Sequence, residues 1–163
     1  MQPVKPEAAE LPLAAREGAL GEPAFTATMR ALVEAYFAFL RRSERHVRAL
    51  GLTQSQFDVI ATLGNTPGMT CKELARRTLV TKGTLTGVLD RLARRRLISR
   101  RAVEGDRRSI HVRLTPQGET VFRRVFPAHL GYLQFYFERA LPARESARLC
   151  GALQKFTRGF TAD

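Results

Sequence analysis

One segment constrains this chain more than any other: residues 70–114, TCKELARRTLVTKGTLTGVLDRLARRRLISRRAVEGDRRSIHVRL. Its apolar residues first recur at helical steps and then alternate. Thr70-Cys71-Lys72-Glu73 is a capping box that opens a short helix with Leu74 and Ala75 inward, ending near Thr78. Thr81 can cap a second helix, whose apolar positions are Leu85, Val88, Leu89 and Leu92. Leu97 to Val103 and Ser109 to Leu114 then read as a hairpin around a charged tip, Glu104 to Arg108. In the return strand Ile110, Val112 and Leu114 point one way and His111 and Arg113 the other.

The same stretch holds most of the charge. Residues 71–113 contain thirteen Lys/Arg against four acids, which is nine of the chain's twelve net positive charges. A net charge of +12 alone fits DNA, RNA or an anionic membrane surface. A merely solubilising surface does not require clustering, so the concentration favours a nucleic acid. Two short helices joined by a tight break, followed by an arginine-tipped ribbon, outline a winged helix-turn-helix. The second helix suits a major groove and the hairpin the neighbouring minor groove.

Other function classes find little support. No GxSxG, P-loop, GxGxxG or nucleophile–base pair is visible, so no enzyme is expected and no cofactor is implied. His46, His111 and His129 stand far apart with no Asp or Glu at ligand spacing, so no metal site is expected. No run of about 18 apolar residues spans a membrane. The start, MQPVKPEAAELPL, lacks the basic-then-apolar pattern of a secretory signal, and a cytoplasmic location is expected.

The chain's 163 residues suit one domain with a real core. Residues 1–23, punctuated by Pro and Gly, read as a loose extension. Residues 24–50 form a long helix in which Phe25, Met29, Leu32, Tyr36, Phe39 and Leu40 recur at steps of three and four, with Gly51 as its cap. A capping box, Thr53-Gln54-Ser55-Gln56, opens the next helix. Residues 51–115 then form the winged helix-turn-helix, and residues 116–163 are C-terminal helices opened by Thr115-Pro116 and Pro142, with Pro127 expected to kink or interrupt the first. The fold class is mainly α with a small β-hairpin. Both flanks are rich in Phe and Tyr, more than one copy can cover, so 24–50 and 116–163 read as dimerisation helices.

With these residues in view, the chain resembles the MarR family of winged helix-turn-helix transcription regulators. The matching pieces are Leu52-Thr53-x-x-Gln56-Phe57-Asp58-Val59, Leu74-Ala75, Val80 to Thr86, Leu89-Asp90-Arg91-Leu92, Leu97-Ile98, Asp106-Arg107-Arg108-Ser109 and Leu114-Thr115-x-x-Gly118, in order. The match runs from about Ala24 to the C-terminus. Three departures stand out. Val103-Glu104-Gly105 replaces the Asp-Pro that often opens the wing. Gly87 stands where a larger, often basic, residue is common. Arg95-Arg96-Leu97 follows the recognition helix where a Gly is usual.

The resemblance implies a homodimer that binds a palindromic double-stranded DNA operator, represses its genes and releases DNA when a small molecule binds. Lys82 and Thr84, in the first turn of the recognition helix, suit base edges. Thr86 and Arg91 suit phosphates, as does Arg107, and Lys72 and Thr81 complete the DNA-binding candidates. Arg108 matches the family's wing-tip arginine for a narrow minor groove, with Asp106 holding it or Arg107. By position, Tyr36, His46, Phe57 and Asp58 are candidates for an effector site, an aromatic molecule among the possible ligands. Two alternatives stay open: a sequence-indifferent or architectural nucleic-acid binder, and a redox-sensing regulator. In the latter, Cys71 would be activated by its helix N-terminus and Lys72, while Cys150 packs among apolar neighbours.

Overall fold

The computed structural model describes residues 24–103 and 105–161, and of Ala24, Lys82, Val103, Asp106, Arg107 and Arg108 only the backbone. The expected loose extension, residues 1–23, lies outside the described residues. The elements are α1 (Ala24–Ala49), α2 (Gln54–Leu63), β1 (Met69–Thr70), α3 (Cys71–Arg77), α4 (Lys82–Arg94), β2 (Ile98–Val103), β3 (Asp106–Leu114), α5 (Pro116–Ala140) and α6 (Ala143–Thr161). The antiparallel sheet has the order β1-β3-β2. Its third strand, β1, is too short to show a period in sequence. Met69 pairs with Val112 and Thr70 with His111.

The described residues fall into two compact units that divide after Ala38. In the first, α1 up to Ala38 carries Phe25, Met29, Val33, Tyr36 and Phe37 as exposed side chains, Phe25 at 66%. The second holds the core. Leu74 from α3, Val88 and Leu92 from α4, Val59, Ile60 and Leu63 from α2, Val112 from β3 and Val125 from α5 are fully buried in it. Burial of this kind is the main term holding the module together.

Local signals fix where these helices start. Thr53 caps α2 and Gln56 reaches back to the Thr53 N–H, as the sequence predicts. Thr70 and Glu73 repeat the arrangement at α3. There the Thr70 N–H and hydroxyl both donate to Glu73 and hold its carboxyl below the usual range.

Two helices end in the same way with different residues. At the end of α1 the Leu52 N–H reaches the Val47 carbonyl and the Gly51 N–H that of Arg48. At the end of α4 the Leu97 N–H reaches Leu92 and the Arg96 N–H reaches Ala93. Both are Schellman caps, which need a left-handed residue at the position after the cap. Gly51 takes φ +82 without strain, whereas Arg96 sits at φ +57. The missing glycine is thus met by the same geometry, with the arginine backbone carrying the strain.

Pro127 does not interrupt its helix: α5 runs unbroken from Pro116 to Ala140. A proline keeps a helical φ and removes one N–H bond, and buried Phe122, Val125 and His129 anchor the turns around it. Gly118, in the first turn of α5, lies against the Leu97 carbonyl, and a Cβ there would overlap that oxygen. This close approach seats α5 on the start of β2. Helix α6 buries none of its residues.

Candidate nucleic-acid interface

Helix α4 divides cleanly. Leu85, Val88, Leu89 and Leu92 are buried, while Thr84, Thr86 and Arg91 are exposed. The 3.6-residue period therefore pins one side into the core and leaves the other for a ligand. Thr81 is at the cap position but makes no capping bond; its hydroxyl donates to that of Thr84 at 3.0 Å. This differs from the expected cap and pairs two exposed threonines at the helix start. Gly87 gives room to Arg91, whose Nη1 lies 3.4 Å from where a Cβ on residue 87 would stand.

A cleft of about 380 Å³ between α3 and α4 is lined by Lys72, Arg76 and Thr86 among others, which joins Lys72 to the α4 face. Arg76 and Arg77, counted in the sequence only as charge, are also exposed on α3. The connecting turn contributes Leu79, 92% exposed, which no periodicity could single out because it belongs to neither helix. Its N–H donates to Asp58 Oδ2 at 2.7 Å and fixes the turn to α2.

The wing differs from the expected hairpin. Its strands extend to Val103 and Asp106, which pair, so Asp106, Arg107 and Arg108 belong to β3 and not to a tip loop. The register shifts next to this pair. Ala102 still opposes Ile110, so Arg107, Arg108 and Ser109 have no partners on β2. A bulge of this type bends a strand and re-aims what it carries. The side chains of Lys82, Asp106, Arg107 and Arg108 lie outside the described residues. At the other end of the wing, Arg100 Nη1 donates to Asp90 Oδ1 at 2.8 Å and ties β2 to α4.

Cys71 is half-buried. Burial pushes its thiol up and outweighs the opposing charge of Arg100, so the activation that the redox alternative requires is not met. Cys150 is exposed, not packed.

The effector candidates separate. His46 and Phe57 converge on His129: the two imidazoles approach at 3.0 Å between Nδ1 atoms, and Phe57 meets the His129 ring edge-on. Asp58 is engaged instead with Leu79, and burial raises its carboxyl above the usual range despite that bond. Tyr36 stands exposed on α1 in the first unit. The sequence reading missed His129 because it lies 83 residues from His46. Among the described residues no group of three or more His, Cys, Asp or Glu could hold a metal ion. Among the same residues no helix is long and apolar enough to cross a membrane.

Residues 50–109, from the end of α1 into the wing, match the sequence model of the MarR family. Over that stretch the chain is similar to the MarR family. The HTH-type transcriptional repressor YetL of Bacillus subtilis is 33% identical over 97 residues, 58% of each protein. The chain spans about half to three quarters of the length of the curated relatives it matches, and 58% of YetL. AbsC, a MarR family regulator from Streptomyces coelicolor, shares the fold at a TM-score of 0.79 and 23% identity, over 90% of this chain and all of AbsC. Sco3205 from the same organism, solved in complex with DNA, does so at 0.79 and 19%, over 91% of this chain and 95% of its own. The MarR fold therefore accounts for the helix pair, the wing and the helices on either side of them.

Proposed function

We propose that this chain is a MarR-family, sequence-specific regulator of transcription. It binds a palindromic double-stranded DNA operator as a homodimer, represses its target genes in the cytoplasm and lets go when a small molecule binds. One observation carries the reading: α4 sets Thr84, Thr86 and Arg91 opposite a buried leucine–valine face, within a fold that a relative uses on DNA. Lys82 and Thr84 read base edges. Thr81, Thr86, Arg91, Lys72 and Arg107 take phosphates. Arg108 enters the minor groove from the bulged strand, with Asp106 as its positioning residue. Catalysis has no part in this reading.

The dimer is supported by what one chain leaves uncovered. Leu149, Leu153, Phe156 and Phe160 line α6 and are exposed, Phe160 at 78%. A second copy covers such a stripe and places two reading helices one helical turn apart. For the effector, His46 and Phe57 are the candidates that share a neighbourhood, and their aromatic surroundings suit a planar aromatic ligand. Asp58, held by the Leu79 N–H, and Tyr36, on the other unit, are candidates each taken by itself.

Selection of duplexes from a random pool tests the reading. The expected product is an inverted repeat bound at least ~10³-fold more tightly than a scrambled duplex. A ratio near one would favour an architectural binder. On the selected duplex, Arg108→Ala should lose most where A·T pairs lie under the wing, and Lys82→Ala should relax one half-site position by ~1–3 kcal/mol.

A further inference from the structure

His129 is buried on α5, and its two ring nitrogens meet two different side chains of α1. Nε2 lies 3.1 Å from Ser43 Oγ, and Nδ1 lies 3.0 Å from His46 Nδ1, both on α1. Hydrogen-bond arithmetic assigns the protons. Ser43 gives its hydroxyl proton to Gln54 Oε1 at 3.1 Å, so its oxygen is the acceptor and His129 Nε2–H the donor. A neutral His129 then has a bare Nδ1, and the single proton between the two Nδ1 atoms belongs to His46. One added proton is accommodated at His46 Nε2, which leaves the network intact. A second would set N–H against N–H at 3.0 Å, with two like charges in contact.

The cluster sits where three helices meet. Helix α1 supplies Ser43 and His46; α2 supplies Gln54 and Phe57; α5 supplies His129 and Tyr132, whose ring stacks on His46 at 4.0 Å. The ionisable groups around it are few. On α1, Arg42 lies over Tyr136 and Glu44 pairs with Arg48. On α2, which otherwise contributes neutral side chains, Asp58 is bound to the Leu79 N–H. From the end of α4, Arg95 reaches Gln56. On α5, Tyr132 is the other titratable neighbour. None of these bonds offers the imidazole pair a carboxylate.

We propose that the His46–His129 pair is an acid-sensitive joint: it holds α2 of the DNA-reading module to α1 and α5 while it carries no more than one extra proton, and opens when it takes a second. On double protonation the half-exposed His46 leaves its stack on Tyr132, and His129 keeps its bond to Ser43. Burial and the charge of His46 both lower the proton affinity of His129 from its ordinary value of 6.5. With a lowered folded value, stability from this group is fully present above that ordinary value and is lost as the pH falls from it towards the folded value. The link to DNA rests on the regulator reading above, whereas the proton count does not.

Imidazole ¹⁵N chemical shifts of the intact protein, followed from about pH 8 to about pH 5, spanning the usual histidine range, test the joint without DNA. The expected result is a Nε2–H tautomer at His129, a Nδ1–H tautomer at His46 and two protonation steps at least about one pH unit apart. Two independent titrations near the ordinary histidine value would overturn it. Binding to the duplex selected above supplies the second reading. Acidification from about pH 7.5 to about pH 5.5 should weaken wild type roughly three- to tenfold relative to His46→Asn, within the limit for one linked proton. That variant keeps a donor towards Nδ1 and does not titrate. Its His111 on β3 is unchanged, so acid effects at the wing cancel in the ratio. Equal pH profiles would overturn the coupling. Absence of selective DNA binding at every pH would instead defeat the regulator reading, with the ¹⁵N titration still deciding the joint.

Discussion

The winged module and helix α6 use the same amphipathic pattern to different ends. In α4 the residues at helical spacing, Leu85, Val88, Leu89 and Leu92, are buried by the chain's own helices and strands. In α6 the equivalent set, Leu149, Leu153, Phe156 and Phe160, stays exposed in one chain. Periodicity therefore says that a face must be covered, and not by what. The module is closed by intrachain partners and by capping residues at its helix starts. The α6 stripe leaves its apolar area uncovered, and the proposed dimer would bury it.

The largest expected effect would break the contrast if it failed. Leu92→Ala should cost about 2–5 kcal/mol in urea unfolding, at every protein concentration, since its cavity is internal. Gly118→Ala should follow at about 1–3 kcal/mol, because the new methyl meets the Leu97 backbone carbonyl, which has little freedom to retreat. Phe156→Ala should remove roughly 2 kcal/mol from association. Sedimentation should read this as a weaker dimer, while an internal substitution leaves self-association unchanged. If Phe156→Ala lowered stability by the same amount at all concentrations, α6 would be packed within one chain and the comparison would collapse. The smallest effect refines the module side. Arg96→Gly should raise the unfolding free energy by about 1 kcal/mol, as the left-handed position loses its Cβ strain.

Much of the architecture was legible because it rests on local chemistry. The boxes Thr53–Gln56 and Thr70–Glu73 are satisfied within four residues of chain. The cap at Gly51 and the buried face of α4 are likewise written in single residues and their spacing. The site was legible in part. Charge clustering located the module, and the exposed face of α4 contains the threonines singled out for DNA. Leu79 and the bulge beneath Arg107 and Arg108 escaped, since an exposed turn leucine has no period and strand register depends on the opposite strand. Whether Cys71 is activated could not be read from the sequence, because a helix N-terminus is visible there while desolvation is not.

The sequence by itself determined the order of the helices and of the two wing strands, the caps at Thr53, Thr70 and Gly51 and the concentration of positive charge, because each follows from residues within a turn or two of one another. Tertiary structure alone decided that Arg96 would be held left-handed, that Gly118 would lie against a carbonyl, and that His46 and His129 would share a proton from 83 residues apart. Such contacts depend on three-dimensional closure, and side-chain chemistry at a distance leaves no periodic trace in the chain.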